Sequence, residues 1–461
     1  MVCPLLKKPS LDKDILKNYR PVSNLTFLSK VVERVICKRL TDHLQDNGLL
    51  DKFQSAYRPF HSTETALLRV QNDILHKIDQ RKQVYLVLLD LSAAFDTIDH
   101  EILLSFMENQ CGIKGVGLDI FRSYLTDRSQ RVTVQGVSSQ NSQLLYGVPQ
   151  GSVLGPIIFC LYTLPICKIL QYHGIDYHIY ADDTQIYCAF DDGDAEKSLN
   201  RIKICIDDIR SWMIRNKLKI NDDKTEFLIM ASPRLKGVLN SNLVIGDSTI
   251  VPSLSCRNLG ATFDNHLSMV KHVETVCKSM LFHLRNILSI RSLLTDSAAS
   301  QLVHSLVTSR LDYCNSLLYG IPTYLCKKLQ RVQNVAARIL TQSEPFCHIQ
   351  PVLYKLHWLP VEFRIKFKIV LLTFKCIKKS APQYLIDLVD IYQPSRSLRS
   401  SDKFLLCNAK VRTKASGERC FMFAAPKEWN QLPEDLKYCS NLNIFKTKLK
   451  THLFEKFYCE F

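Results

Sequence analysis

The sequence holds no run approaching the ~20 apolar residues that a membrane-spanning helix requires. No secretion signal opens it, because Lys7 and Lys8 follow Met1-Val2-Cys3-Pro4 before any apolar core. These two absences predict an intracellular chain, nuclear or cytoplasmic, with no membrane partner. Cys-x-x-Cys pairs are absent too: 17 cysteines stand singly from Cys3 to Cys459. Spread this way, they suit reduced, mostly buried thiols rather than a disulfide framework. No short Cys/His spacing suits a zinc knuckle. There is no internal repeat and no low-complexity tract. Acidic residues are scarce in one half only. Residues 265–461 hold 14 Asp+Glu against 29 Lys+Arg, a net of +15, whereas residues 1–264 hold 30 against 31. Basic asymmetry of this kind points to a polyanionic partner. A solvated basic surface is the plain alternative.

What is present is an ordinary globular composition: 461 residues, 46% hydrophobic and 23% charged. That is enough chain for roughly two to four domains. Its central stretch is Tyr180-Ala181-Asp182-Asp183. β-Branched and aromatic residues flank it, so the pattern predicts a β-hairpin with both carboxylates at the turn. Adjacent carboxylates repel, and keeping both ionised calls for a cation beside them. An exposed Asp-Asp turn is the alternative. Upstream, Val84-Tyr85-Leu86-Val87-Leu88-Leu89 reads as a buried strand that ends at Asp90. One carboxylate from a strand and two from a hairpin suit a pair of Mg²⁺ ions in phosphoryl transfer.

Three motifs then carry a resemblance. Asp90-Leu91-Ser92-Ala93-Ala94-Phe95-Asp96, Gly147-Val148-Pro149-Gln150-Gly151-Ser152-Val153-Leu154-Gly155-Pro156 and Tyr180-Ala181-Asp182-Asp183 resemble palm motifs A, B and C of reverse transcriptases, in order and in spacing. The likeness is to the polymerases of long interspersed elements, retrotransposons without terminal repeats, of the jockey-like kind. It runs over nearly the whole chain. It implies an α+β, right-hand polymerase fold. Fingers would span 1–80, a palm with an antiparallel sheet 81–264, and a helical thumb 265–345. A basic, largely helical C-terminal domain would follow over 346–461. The reverse transcriptase domain itself would cover about 1–264. Family polymerases are often preceded by an endonuclease, which this sequence is expected to lack. No acidic constellation after residue 264 suggests a ribonuclease H domain.

The resemblance also implies roles. Asp90 and Asp182 would bind two Mg²⁺ ions, with Mn²⁺ as a substitute, assisted by Asp183 and the carbonyl of Leu91. Arg20, in Asn-Tyr-Arg-Pro, and Arg58, in Ala-Tyr-Arg-Pro, match basic finger positions, and a guanidinium fork suits phosphate oxygens. Phe95 matches the aromatic that collides with a ribose 2′-hydroxyl; a core Phe is the other reading. Gln150 and Gly151 would lie against nucleotide or template, glycine allowing close approach. Lys224, in Leu218-Lys219-Ile220-Asn221-Asp222-Asp223-Lys224-Thr225, matches motif D and the general acid to pyrophosphate. An exposed turn lysine is the alternative. Cys256-Arg257-Asn258-Leu259-Gly260 resembles the motif that grips the primer.

The rest is predicted from periodicity and turn chemistry. Helices are expected over 27–44, from Thr63 as cap, over 152–164, 195–218, 272–290, 297–306, 325–340, 361–379 and 444–457. Strands of one hairpin are expected over 131–134 and 142–146, a turn into helix at Ala93-Ala94-Phe95, and a loop over 395–401. In the thumb helix Leu329, Val332, Val335, Ala336 and Ile339 should face inward. The activity expected is RNA-directed DNA synthesis from dNTPs on a DNA primer and an RNA template, with protein partners left open. The rival expectation is a transposon-derived remnant that binds RNA without polymerase activity.

Overall fold

Four antiparallel strands form the main sheet, in the order Glu226–Met230, Gln83–Leu89, Asp183–Phe190, Asp176–Tyr180. The computed structural model describes residues 1–92, 95–234, 241–246, 248–344, 346–393 and 404–458. Ala93 and Ala94 of the expected turn, the expected loop over 395–401, and Cys459 lie outside the described residues. The central strand Gln83–Leu89 is almost wholly buried, as its unbroken apolar run requires. Helix and sheet are both well represented, and the chain is of mixed α and β class.

One face of the sheet is covered by the helices Gly155–Thr163, Pro165–Tyr172 and Ala195–Arg215, with Tyr85, Val87 and Phe227 among them. The other face rests on helix Thr63–Asp79. From there a single apolar core continues. It runs from Leu67 and Leu68, past Leu86 and Leu228, through Val273, Leu284 and Leu329, to Val361, Tyr384, Phe421 and Ala425. Helices Val270–Ser289, Asp296–Val303 and Thr323–Thr341 and the later helix Val361–Ile377 share that core with the sheet.

Several expectations change in detail. Gly155–Tyr172 is 18 residues of mean hydropathy 1.3, long and apolar enough by composition to cross a membrane. It is two helices, because Pro165 has no N–H with which to continue the first, and 61% of it is buried inside the protein. The helix expected over 27–44 forms as Phe27–Asp46, with its apolar stripe exposed at Phe27, Leu28, Val32 and Val35 and buried at Leu40 and Leu44. Glu33 is buried as well. Its carboxylate accepts the N–H groups of Val153 (2.7 Å) and Leu154 (3.1 Å), just before helix Gly155–Thr163, where a negative charge is stabilising. Ser62, not Thr63, caps the next helix, in a capping box with Thr65. The expected single hairpin is two ladders, Ser129–Gln130 with Ser142–Gln143 and Thr133–Val134 with Val137–Ser138. Val335 is exposed rather than inward. A strand pair, Val2–Leu6 with Tyr19–Ser23, stands ahead of the first expected helix, where no strand was expected.

Candidate active site

Register brings the three aspartates together. Leu89 pairs with Thr184, so Asp90 and Asp183 leave the two central strands side by side. Asp183 also pairs with Tyr180, which leaves Ala181 and Asp182 as a two-residue turn. Ala181 has φ +58°, the left-handed region that costs a residue with a Cβ about 1–2 kcal/mol. Its surroundings hold it there. Ala181 is buried against Ala56 and Cys160, and its N–H donates to Oε1 of Gln54 at 3.4 Å.

The cluster is electrostatically crowded. Burial pushes the Asp183 carboxyl up to about 6, with Asp182 and Asp90 adding to it and Lys224 opposing. Asp182 is raised by burial and by Asp90, while Lys224 and Arg20 pull it down. Lys224 Nζ lies 2.9 Å from Oδ2 of Asp90. Asn221, to which the sequence reading gave no role, donates from Nδ2 to the same oxygen (3.3 Å) and from its backbone N–H to the Asp90 carbonyl (2.9 Å). An Arg210–Asp222 ion pair fixes the turn that carries Asn221 and Lys224. A cleft of about 130 Å³ is lined by Asp90, Asp183, Lys224, Glu226, Arg257 and Asn258. The stretch resembling the primer motif therefore reaches the aspartates. Asn258 is anchored there through Nδ2 to Gln185 at 2.8 Å.

The donor chemistry fits Mg²⁺, since carboxylate oxygens are hard ligands and a cation would relieve the repulsion that raises Asp182 and Asp183. Among the described residues no three His, Cys, Asp or Glu side chains converge as a ligand set. Asp90 is instead neutralised by the Lys224 ammonium. Leu91 lies in a short strand pair, opposite Ile220.

A second group stands beside the first. The Phe95 ring packs against Phe159 with centroids 5.0 Å apart, and its carbonyl accepts the Val148 N–H at 2.9 Å. Gln150 Nε2 donates to both carboxylate oxygens of Asp96, at 3.0 Å each. The chain turns tightly here: a Cβ on Gly147 would meet the Asp96 carbonyl oxygen at 2.8 Å, and Gly151 (φ +104°) lies close to the Ser23 carbonyl. The two arginines differ. Arg20 is exposed on the strand Tyr19–Ser23, within electrostatic reach of Asp182. Arg58 turns inward and spends Nη1 on the carbonyls of Asp51 and Gln54, in its own loop.

The reverse transcriptase (RNA-dependent DNA polymerase) family matches residues 6–263. "Probable RNA-directed DNA polymerase from transposon BS" of Drosophila melanogaster is 28% identical over 346 residues, 73% of this chain and 38% of that protein. The corresponding protein of transposon X-element, from the same organism, is 26% identical over 75% of this chain and 38% of its own length. "RNA-directed DNA polymerase from mobile element jockey", also from Drosophila melanogaster, is 28% identical over 56% of this chain and 28% of its own. The chain thus spans well under half the length of these relatives. Among solved structures it is similar to apo telomerase from Candida Tropicalis, at TM-score 0.37 and 12% identity over 76% of this chain and 59% of that one.

Proposed function

The chain belongs to the reverse transcriptase family, and we propose that it carries out RNA-directed DNA synthesis for a retrotransposon of the jockey-like kind. In this reading the four-stranded sheet is the palm, residues 1–80 are fingers, and the helices of 265–345 are a thumb over a primer–template duplex. Substrates are dNTPs, a primer 3′-hydroxyl and an RNA template. The observation that carries the reading is the crowding of Asp90, Asp182 and Asp183 at one end of the two central strands, with Asp183 held up at about 6.

Asp90, Asp182 and Asp183 are the residues to hold two Mg²⁺ ions, with the Leu91 carbonyl beside them. Ions held there would supply a lower pKa for the primer hydroxyl and charge balance for the leaving pyrophosphate. Lys224 brings a proton to the edge of the same site, at the distance of its ion pair with Asp90, and is the group to donate it to pyrophosphate. Arg20, whose guanidinium has no ion pair among the described residues, offers its fork to the triphosphate. The Phe95 ring, braced by Phe159, blocks a 2′-hydroxyl. The Gln150–Asp96 pair and Gly151 shape the surface on which the base pair lies. Arg58 acts indirectly, through the loop it ties together.

The test is extension of a labelled DNA primer annealed to RNA, with dNTPs and Mg²⁺ or Mn²⁺. The expected product is full-length DNA copied from the RNA, lost on chelation. RNA binding with no extension under either metal would leave the remnant reading in its place.

A further inference from the structure

The turn that presents Asp182 does not rest on the sheet alone. On its outer side, residues 53–55 run along strand Asp176–Tyr180: Ile179 N–H donates to the Phe53 carbonyl, and Ser55 N–H to the Ile179 carbonyl, each at 2.9 Å. Gln54 carries the side-chain oxygen that accepts from Ala181 and, at 3.0 Å, from Ala56. This loop is in turn held from far along the chain. The Tyr384 hydroxyl lies 2.9 Å from Ser55 Oγ, and Ser55 Oγ lies 2.8 Å from Nε2 of His178, in the catalytic hairpin. Tyr384 donates to Thr65 Oγ1 at 2.9 Å, and Thr65 donates to the Ser62 carbonyl at 2.9 Å. Tyr384 and His178 are wholly buried and Ser55 nearly so, and the Tyr384 and His178 rings meet edge to face at 4.8 Å.

The donors arrange themselves in one direction only. Thr65 already gives its proton to Ser62, so it accepts from Tyr384. Tyr384 then accepts from Ser55, and Ser55 from an Nε2–H of His178. That tautomer leaves only a lone pair at Nδ1, which has no partner among the described residues. The relay thus runs His178, Ser55, Tyr384, Thr65, Ser62, and each link polarises the next. Further ties bring the Tyr384 segment to the same place: Arg69 Nη1 donates to the Tyr384 carbonyl at 2.8 Å, and Lys52 pairs with Asp387.

We propose that Tyr384, outside the family-matched residues, is a positioning residue for the catalytic hairpin. Its hydroxyl closes the relay that fixes strand Asp176–Tyr180 and loop 53–55, on which the Ala181–Asp182 turn sits. The inference deepens the polymerase reading and rests on it for its catalytic part. Aspartates that must meet primer and nucleotide tolerate little displacement, since a 1 Å misplacement can cost about a hundredfold in rate. The segment 346–461 would then shape the active site as well as meeting nucleic acid.

The test uses the full chain with Tyr384→Phe, which keeps the ring and removes the hydroxyl. Ser55→Ala breaks the same relay if the first variant fails to fold. Two readouts are taken. Amide hydrogen exchange should quicken over residues 53–57 and 176–183, with strand Glu226–Met230 and helix Ala195–Arg215 unchanged. Primer extension on RNA should show kcat lower by about tenfold with KM for dNTP within about twofold, the signature of an interaction needed in the transition state. Unchanged exchange, or exchange raised uniformly across the protein, overturns the clamp. Local loosening with an unchanged kcat overturns its role in positioning. If the wild-type chain extends no primer at all, the polymerase reading fails, and the exchange pattern still decides the clamp.

Discussion

In residues 1–264 acidic and basic side chains nearly balance, and several of them meet at one place: Asp90, Asp182, Asp183 and Lys224 share a single crowded site. In residues 265–461 basic side chains outnumber acidic ones 29 to 14, and some of the basic groups are held in ion pairs within the protein. Arg364 pairs with Asp312, Lys366 with Glu362 and Lys368 with Glu64, the last a tie to helix Thr63–Asp79. Lys375, Lys378, Lys379 and Lys446 make no ion pair among the described residues, and Lys375 is pulled down by burial and by its neighbours Lys446 and Lys368. Of these three pairs only Lys368–Glu64 draws on an acid from outside the second half, so pairing leaves its basic excess nearly intact. Lys375 and Lys446 thus belong to one local cluster of like charges.

The comparison breaks most visibly if the halves can be separated. A chain ending at Thr341 loses Val361, Tyr384 and Phe421 from the core shared with the sheet. Burying three such side chains is worth about 5–9 kcal/mol, against the about 5–15 kcal/mol that holds a whole domain together. The truncated chain should show no cooperative unfolding transition in calorimetry. A sharp transition with extension intact would mean that the second half is only an appendage.

Changing charge without touching that core sharpens the comparison. Lys375, Lys378, Lys379 and Lys446 replaced together by Ala should leave the melting behaviour close to wild type and weaken RNA binding at low salt. If each contacts a phosphate, the slope of log affinity against log salt should fall by about 3 in all, at about 0.7–0.9 per contact. The same slope before and after would make the cluster a solvated surface.

Two smaller effects belong to the first half. Phe95→Val should admit ribonucleotides while sparing deoxynucleotide use, changing the deoxy/ribo ratio by about 1–3 kcal/mol, or roughly ten- to a hundredfold. An unchanged ratio leaves Phe95 as a neighbour of Phe159 and no gate. Asp183 gives the least. Its folded value of about 6 lies above the ordinary carboxylate value, so its protonated form favours folding, and that contribution is lost as pH rises through about 6. In chelator, Asp183→Asn should raise Tm at pH 7.5 and make no difference near pH 4. The carboxylate stands partly in solvent, which keeps the shift small. Equal Tm differences at both pH values would remove the crowding argument.

These regions also differ in how they could be read. The strand ending at Asp90 and the hairpin at Asp182 were legible because an unbroken apolar run and a short turn between β-formers each have few structural solutions, although the turn is Ala181–Asp182 and Asp183, expected in it, begins the next strand. For helix Phe27–Asp46 periodicity gave the element without saying how much of its apolar stripe is buried; Glu33 goes inward to meet Val153 and Leu154. The link from Tyr384 to Ser55 spans 329 positions, and nothing local in either segment announces it. Asn221 sat inside a recognised stretch, and only the register beside Asp90 gave it a role. Charge asymmetry was legible as a sum, but which basic groups are paired was not, because ion pairs such as Lys368–Glu64 are invisible in composition.

The central claim is that carboxylates at one end of the central strands run DNA synthesis on RNA. Its most direct test is the primer-extension rate of Asp182→Asn beside wild type, with RNA affinity measured on the same preparations. Asn keeps the shape of the turn and removes the charge. The account predicts a fall on the order of 10³-fold or more in extension with RNA affinity unchanged; extension near the wild-type rate would contradict it.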